Sequence, residues 1–171
     1  MLLRVLLALM ALVPAGASAQ PKVAVFPFDL VFQQSEEDFF YGAPKATPEE
    51  LLRLKLVRDE LTGRLSNSGK FEMLDISSVA ADIDAAAPLY NCNGCEMDFA
   101  KKLGADLIYL GLIEKASATL LSMKVIVVDV AEGKPLHDYT AVIRGNTDDA
   151  WLNGMKWLAK NRLLAEEGAK P

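Results

Sequence analysis

The chain has 171 residues, 51% of them hydrophobic, with 18 basic against 23 acidic side chains and a formal net charge of −5. An acidic protein with no Lys/Arg cluster is a poor match for nucleic acid or a dedicated anionic-lipid surface, since phosphates attract basic groups. As a tetrahedral zinc site the two cysteines are two ligands short, since the chain has a single histidine and no second cysteine pair.

The amino terminus reads as an export signal. Arg4 supplies a positive charge and Val5 to Val13 is an apolar run. Pro14 and Gly16 break that run before the small-x-small site Ala17-Ser18-Ala19. The run is shorter than the roughly 20 apolar residues that span a bilayer, and no cysteine follows the cleavage site, so neither a membrane span nor a lipid anchor is expected. Residues 1–19 are therefore expected to be removed. Residues 20–171, of charge about −6, then form a single domain in the periplasm.

Lys22 to Phe28 (KVAVFPF) has no polar side and reads as a central strand buried on both faces, with Pro27 tolerated where the ladder finishes. Asp29 to Ala46 shows no period. A connection of that length after a strand is a candidate binding loop, and ligands of open α/β sheets collect at the carboxyl ends of strands. Phe39, Phe40, Tyr41 and Gly42 are its candidate contact residues. The acidic run Glu36-Glu37-Asp38 lacks calcium-loop spacing and reads as solvated charge.

Thr47-Pro48-Glu49-Glu50 predicts a helix start with a capping box. Leu51, Leu54, Arg58, Leu61 and Leu65 follow at helical spacing, with Leu52, Leu56 and Val57 widening the apolar face. Ser66 to Gly69 ends the helix. Phe71 to Ile76 predicts a second strand, and Val79 to Ala87 a short helix capped by Ser77 or Ser78 and ended by Pro88. Asp82 and Asp84 point to different faces of it and read as solvated charges. Glu96 to Leu103 predicts a helix stopped at Gly104, and Asp106 to Lys115 a strand.

Ser117 to Val130 predicts a longer strand with Leu121, Met123, Val125 and Val127 on one face. A turn at Glu132-Gly133-Lys134 leads to its hairpin partner, Leu136 to Arg144. Asn146 or Thr147 caps a last helix striped by Trp151, Met155 and Leu158, and Glu166 to Pro171 reads as a frayed tail. The order is β-α-β-α-α-β-β-β-α. Helical crossovers make the first three strands parallel and short turns make the last ones an antiparallel meander, so an α/β fold with a mixed sheet is expected.

Cys92 and Cys95 flank Asn93-Gly94 at a helix start. An oxidising compartment and the shared stripe with Phe99 and Leu103 favour a structural disulfide. A redox pair, its thiolate stabilised by the helix dipole, remains the alternative. His137 lies in the hairpin's returning strand with no nucleophile at a readable spacing, and Trp151 and Trp157 read as packing residues. Gly145 to Asp149 is a weak anion-binding helix start whose own acids oppose anions. No Gly-rich phosphate loop, Gly-x-Ser-x-Gly or paired-His motif is present. No catalytic residue, metal ligand or cofactor is assigned.

KVAVFPF at 22–28, LTGRLSNSGKFEMLD at 61–75, AKKLGADLIYLGLIEK at 100–115 and VVDVAEGKPL at 127–136 together resemble the TolB amino-terminal domain and the related CsgG-type periplasmic α/β domain. YGAPKATPEEL, CNGCE and RGNTDDAWLNGMKWLAKNRLL carry a resemblance to a family of small secreted proteobacterial proteins of unknown function, over nearly the whole mature chain. The resemblance implies a non-enzymatic protein-interaction role with another periplasmic or envelope protein, using the 29–46 loop or a sheet edge. It carries over no catalytic residues, and the pore and propeller parts of those relatives have no counterpart here. The alternatives are a thiol-disulfide redox protein using Cys92 and Cys95, and a small-ligand binder using the 29–46 loop.

Overall fold

The computed structural model describes residues 19–33, 42 and 44–165. Strand β1 (Lys22–Phe32) leads to helix α1 (Pro48–Asn67) and a two-residue strand β2 (Glu72–Met73). A 3-10 turn (Ser77–Val79), helix α2 (Ala80–Ala86), a second 3-10 turn (Leu89–Asn91) and helix α3 (Cys95–Leu103) follow. Strands β3 (Leu107–Lys115), β4 (Leu120–Asp129) and β5 (Lys134–Arg144) precede helix α4 (Asp148–Leu158), which continues as a π-helical turn over Ala159–Leu163.

The strands form one mixed sheet in the order β2-β1-β3-β4-β5. β1 is parallel to both β2 and β3, and the pairs β3–β4 and β4–β5 are antiparallel. The chain steps from β1 to β2 in one direction and from β2 past β1 to β3 in the other. Right-handed crossovers in opposite directions put their helices on opposite faces. One core accordingly holds Leu54, Val57 and Leu61 of α1 with Trp151 and Met155 of α4, against Val25, Tyr109 and Val125 of the sheet. The other holds Ile83 of α2 and Ala100 of α3 against Ala24, Phe26 and Ile108.

Several expectations are refined by local physics. β1 does not stop at Phe28 but pairs with β3 as far as Phe32↔Lys115. Pro27 lies inside it, at a register shift in which Val25 and Phe28 face Tyr109 and Gly111, one residue more than the partner strand supplies. Such a bulge removes the need for the N–H that proline lacks. It also changes the strand's parity, so that Val23, Val25 and Phe28 share one core and Ala24 and Phe26 the other. The Phe28 ring lies over Gly111, where a Cβ would stand 2.1 Å from ring carbons.

β2 is far shorter than Phe71–Ile76. After Leu74 N–H donates to the Val23 carbonyl, the Asp75 carboxylate accepts from both the N–H and the hydroxyl of Ser77, and this turn ends the ladder. No side-chain cap opens the following turns. β4 begins at Leu120 rather than Ser117 because the Ser117 hydroxyl accepts from Thr119 and Leu120 N–H. The predicted core face of β4 is as expected, with Leu121, Met123, Val125 and Val127 all buried.

Helix α1 buries Leu54, Leu61 and Leu65 of the expected stripe together with Val57, but its first turn differs. Leu51 and Leu52 are 56% and 69% exposed, and the buried positions are Glu50, Leu54, Val57, Leu61 and Leu65. In α4, Thr147 is the cap, accepting from Ala150 N–H. Trp151 is fully buried but Trp157 is half-exposed, with the Arg162 guanidinium 6.0 Å from its ring centre, so only the first is a core tryptophan. No helix among the described residues is long and apolar enough to cross a membrane.

Candidate functional site

The connection after β1 runs from Gln33 to Ala46, four residues shorter at its start than expected because β1 continues to Phe32. Phe39, Phe40 and Tyr41 lie outside the described residues, as do Glu36, Glu37 and Asp38. Gly42 is exposed with φ +86, a left-handed conformation that suits glycine. The described residues on either side of this connection meet at one place.

Where the chain leaves β1, Gln33 N–H donates to the Lys115 carbonyl at 3.0 Å. Where it enters α1, Thr47 caps the helix: its hydroxyl accepts from Glu50 N–H at 3.2 Å, and Thr47 N–H donates to Glu50 Oε2 at 3.0 Å. This is the predicted capping box, with one difference of consequence. The acid of a capping box ordinarily faces water, and Glu50 is fully buried. Its other oxygen, Oε1, accepts from Lys115 Nζ at 2.5 Å and from Asn146 Nδ2 at 2.8 Å. Lys115 therefore fixes both ends of the connection, one through its backbone carbonyl and one through its ammonium.

The network continues outward. Asn146 Oδ1 accepts from Trp151 Nε1 at 3.0 Å and from Arg53 Nη1 at 3.4 Å, and Arg53 Nε donates to Asp148 at 2.7 Å. The Lys115 ammonium also lies 5.5 Å from the centre of the Phe32 ring. Burial acts to raise the Glu50 pKa, but the hydrogen bonds from Lys115, Thr47 N–H and Asn146 and the Lys115 charge outweigh it, so the carboxyl stays below its ordinary value. No described buried side-chain polar atom lacks a partner, so the polar groups of this cluster satisfy one another. The pattern of the sequence points to Thr47 and Glu50. It does not point to Lys115 or Asn146, which reach Glu50 from β3 and the β5–α4 connection, nor to Arg53, which joins the network through Asn146.

On the opposite face of β1, Asp29 accepts from Tyr90 N–H at 3.0 Å and so holds the segment leading to the cysteines. Half-burial raises its pKa, with partial relief from the Tyr90 and Leu89 backbone donors. Cys92 and Cys95 are joined as a disulfide with a Cα–Cα distance of 5.5 Å. Asn93 (φ +55) and Gly94 (φ +95) make the left-handed turn between them, and Cys95 opens α3. Both cysteines pack, with Phe99 and Leu103, against the core that contains Phe26. Phe26 and Phe99 meet edge to face at 6.5 Å.

Glu96 is a third potential ligand beside the two sulfurs. Its carboxylate lies 3.2 Å from Cys92 Sγ, a contact and not a hydrogen bond, because a disulfide sulfur carries no proton. In the bonded form neither sulfur is a thiolate, so the trio does not ligate a metal. His137 is exposed on β5, stacked on Tyr139 at 5.3 Å. Asp82 is exposed and paired with Lys102 at 2.7 Å, and Asp84 is exposed on the same helix.

The described residues thus define a small α/β domain that braces the two ends of a long connection with a buried ion pair and staples a helix start with a disulfide. The chain belongs to the DUF3280 family, described as a protein of unknown function (DUF2380), whose model matches residues 21–163. No curated protein sequence matches it. Its fold is similar to that of Escherichia coli LpoB, with a TM-score of 0.50 and 12% identity over 77% of this chain and 60% of that one. Lipoprotein GNA1162 from Neisseria meningitidis aligns at 16% identity over 85% of this chain and 97% of that one, with a TM-score of 0.47. TolB from Acinetobacter baumannii aligns at 13% identity over 84% of this chain and 29% of that one, with a TM-score of 0.44. At such identities the likeness concerns the fold alone.

Proposed function

We propose that this protein is a non-enzymatic accessory protein of the bacterial envelope that binds another periplasmic or envelope protein through the connection after β1. In this reading residues 1–19 are cleaved after Ala19, and residues 20–171 act as a single domain in the periplasm without a lipid anchor. The observation that carries it is the double hold of Lys115 on Gln33 and on Glu50. A connection whose ends are fixed loses less conformational freedom on binding than one anchored loosely. Phe39, Phe40, Tyr41 and Gly42 lie between those ends, and aromatic side chains are the usual anchors of protein interfaces. Leu51 and Leu52, just after the connection in sequence, are exposed on the first turn of α1.

The test is crosslinking in periplasm followed by capture of the wild-type chain and of a variant with Phe39, Phe40 and Tyr41 changed to Ala. A partner held by wild type and lost by the variant is expected; identical partners would remove the connection from the account. A small-ligand role for the same connection would appear as stabilisation by a metabolite in a thermal-shift screen.

The competing reading, a thiol-disulfide redox protein, is disfavoured by Glu96. A carboxylate 3.2 Å from Cys92 Sγ opposes a negative charge on that sulfur, whereas redox cysteines are activated by positive surroundings. A reduction potential below about −300 mV is expected for a structural bond, and a value between about −120 and −270 mV would favour the redox reading.

A further inference from the structure

Strand β5 ends the sheet, so its outer backbone groups face no strand among the described residues. Proteins blunt such edges with proline, lysine or bulges, because a bare edge pairs with another chain. β5 is blunted along its first part only. Lys134 and Pro135 lie there, opposite a register shift between Val127 and Val128. From Tyr139 to Arg144 it carries no proline, lysine or register shift, and Val142 is 66% exposed. A groove runs beside this half, between β5 and the flank of α4 that carries Asn153, Gly154 and the half-exposed Trp157.

The charge pattern selects the occupant. In an antiparallel pair of β5 strands whose helices stay on the same side of the sheet, residues of like parity face each other. With the two-fold axis at Ala141, Asp138 faces the partner's Arg144, Thr140 faces the partner's Val142 and Tyr139 faces the partner's Ile143. Asp138, which also lies 3.7 Å from Lys124 of β4 in its own chain, and Arg144 are both exposed, so the opposite-charge pair would form twice. With the axis at Tyr139, Lys134 would face the partner's Arg144, a like-charge pair. With the axis at Thr140 or Val142, Asp138 and Arg144 do not meet.

We propose that β5 pairs with β5 of a second copy of this chain, antiparallel about Ala141, to give a sheet continuous through both subunits. This surface lies on the last strand of the sheet and does not depend on the proposed accessory role.

Sedimentation equilibrium of the mature chain over a range of concentrations tests it. A reversible dimer is expected. Asp138→Arg, which turns both attractive pairs into like-charge pairs, should weaken it about tenfold or more, and adding Arg144→Asp should restore it. Val142→Lys, at an exposed position where the fold has little to lose, should weaken it independently, with circular dichroism confirming that each variant is folded. A wild-type chain that stays monomeric at its highest soluble concentration would overturn the proposal. So would a dimer that Asp138→Arg and Val142→Lys leave unchanged, since it would use another surface.

Discussion

Lys115, the last residue of β3, reaches across the carboxyl edge of the sheet to Glu50, the third residue of α1, at 2.5 Å. The two are 65 positions apart in sequence, and the contact ties the first crossover helix to a strand that it does not adjoin in sequence. Glu50 is fully buried, while the Lys115 side chain keeps 18% of its exposure. A buried pair of this kind is costly to break one-sidedly, because the remaining partner is left charged without compensation.

Lys115→Met is therefore expected to destabilise the protein by about 3 kcal/mol, the lower end for removing one partner of a buried ion pair. Glu50→Gln in the same chain should recover a large part of that loss, since a neutral amide needs no counter-ion and can still accept from Thr47 N–H. Urea midpoints of the two single variants and the double variant measure the coupling. Simple addition of the two losses would show that the residues act independently.

The same pair sets a pH dependence, with Asp29 acting in the opposite sense. The Glu50 pKa is lowered in the folded state, so its contribution is fully present above its unfolded value of about 4.3. That contribution is lost as pH falls from there through the lowered folded pKa. The Asp29 pKa is raised, so its contribution is present below its unfolded value of about 3.9 and is lost as pH rises through the raised folded pKa. Glu50→Gln should flatten the acid limb of a plot of thermal midpoint against pH. Asp29→Asn, which keeps an acceptor for Tyr90 N–H, should be as stable as wild type or more so at neutral pH. A destabilised Asp29→Asn chain at pH 7 would contradict the role of burial at that position.

The sheet was legible in the sequence because its signals are local. Runs such as Lys22–Phe28 and Leu121–Val127 state their own burial, and the helix starts at Thr47 and Thr147 are written in caps. The misplaced ends of β2 and β4 came from local side-chain turns at Asp75–Ser77 and Ser117, and the other errors from interactions between distant elements. β1 gains four residues from pairing with Leu112–Lys115, which no property of Asp29–Phe32 announces. Leu51 fits the helical stripe as well as Glu50 does, and the choice between them is made by Lys115 and Asn146. The clamp was half visible, as a capping box, and half hidden, because the partners of its second oxygen arrive from strand β3 and the β5–α4 connection. Trp157 shows the same limit, since spacing alone does not say where the neighbouring strand ends.

Gly111 supplies a third prediction. The Phe28 ring, displaced onto this position by the bulge at Pro27, lies where a Gly111 side chain would project. Phe28 is buried and cannot swing into water. Gly111→Ala should therefore cost about 1–3 kcal/mol, as overpacking of a core does. Phe28→Leu should be better tolerated in the Gly111→Ala chain than in wild type, because the smaller side chain makes room for the methyl. A double-mutant cycle of unfolding free energies reads this coupling, and its absence would mean that the backbone, and not the ring, absorbs the change.

The disulfide should matter less to stability than its position suggests. A bond between residues three apart closes a very small loop, for which the chain-entropy account gives about 2 kcal/mol at most. The helix it opens is also held from outside the bond: Phe99 packs on Phe26, and Gly104 terminates α3 in a left-handed conformation that returns its N–H to the helix. Asp29 separately holds the preceding turn through Tyr90 N–H. Replacing both cysteines with Ser should lower stability by no more than about 2 kcal/mol and leave the sheet intact. The loosening should be confined to Leu89–Cys95 and read as faster amide exchange there than in β1 or β3. Global unfolding of the double variant would instead make the bond a condition of the fold, and would place the Asp29 and Phe26 contacts downstream of it.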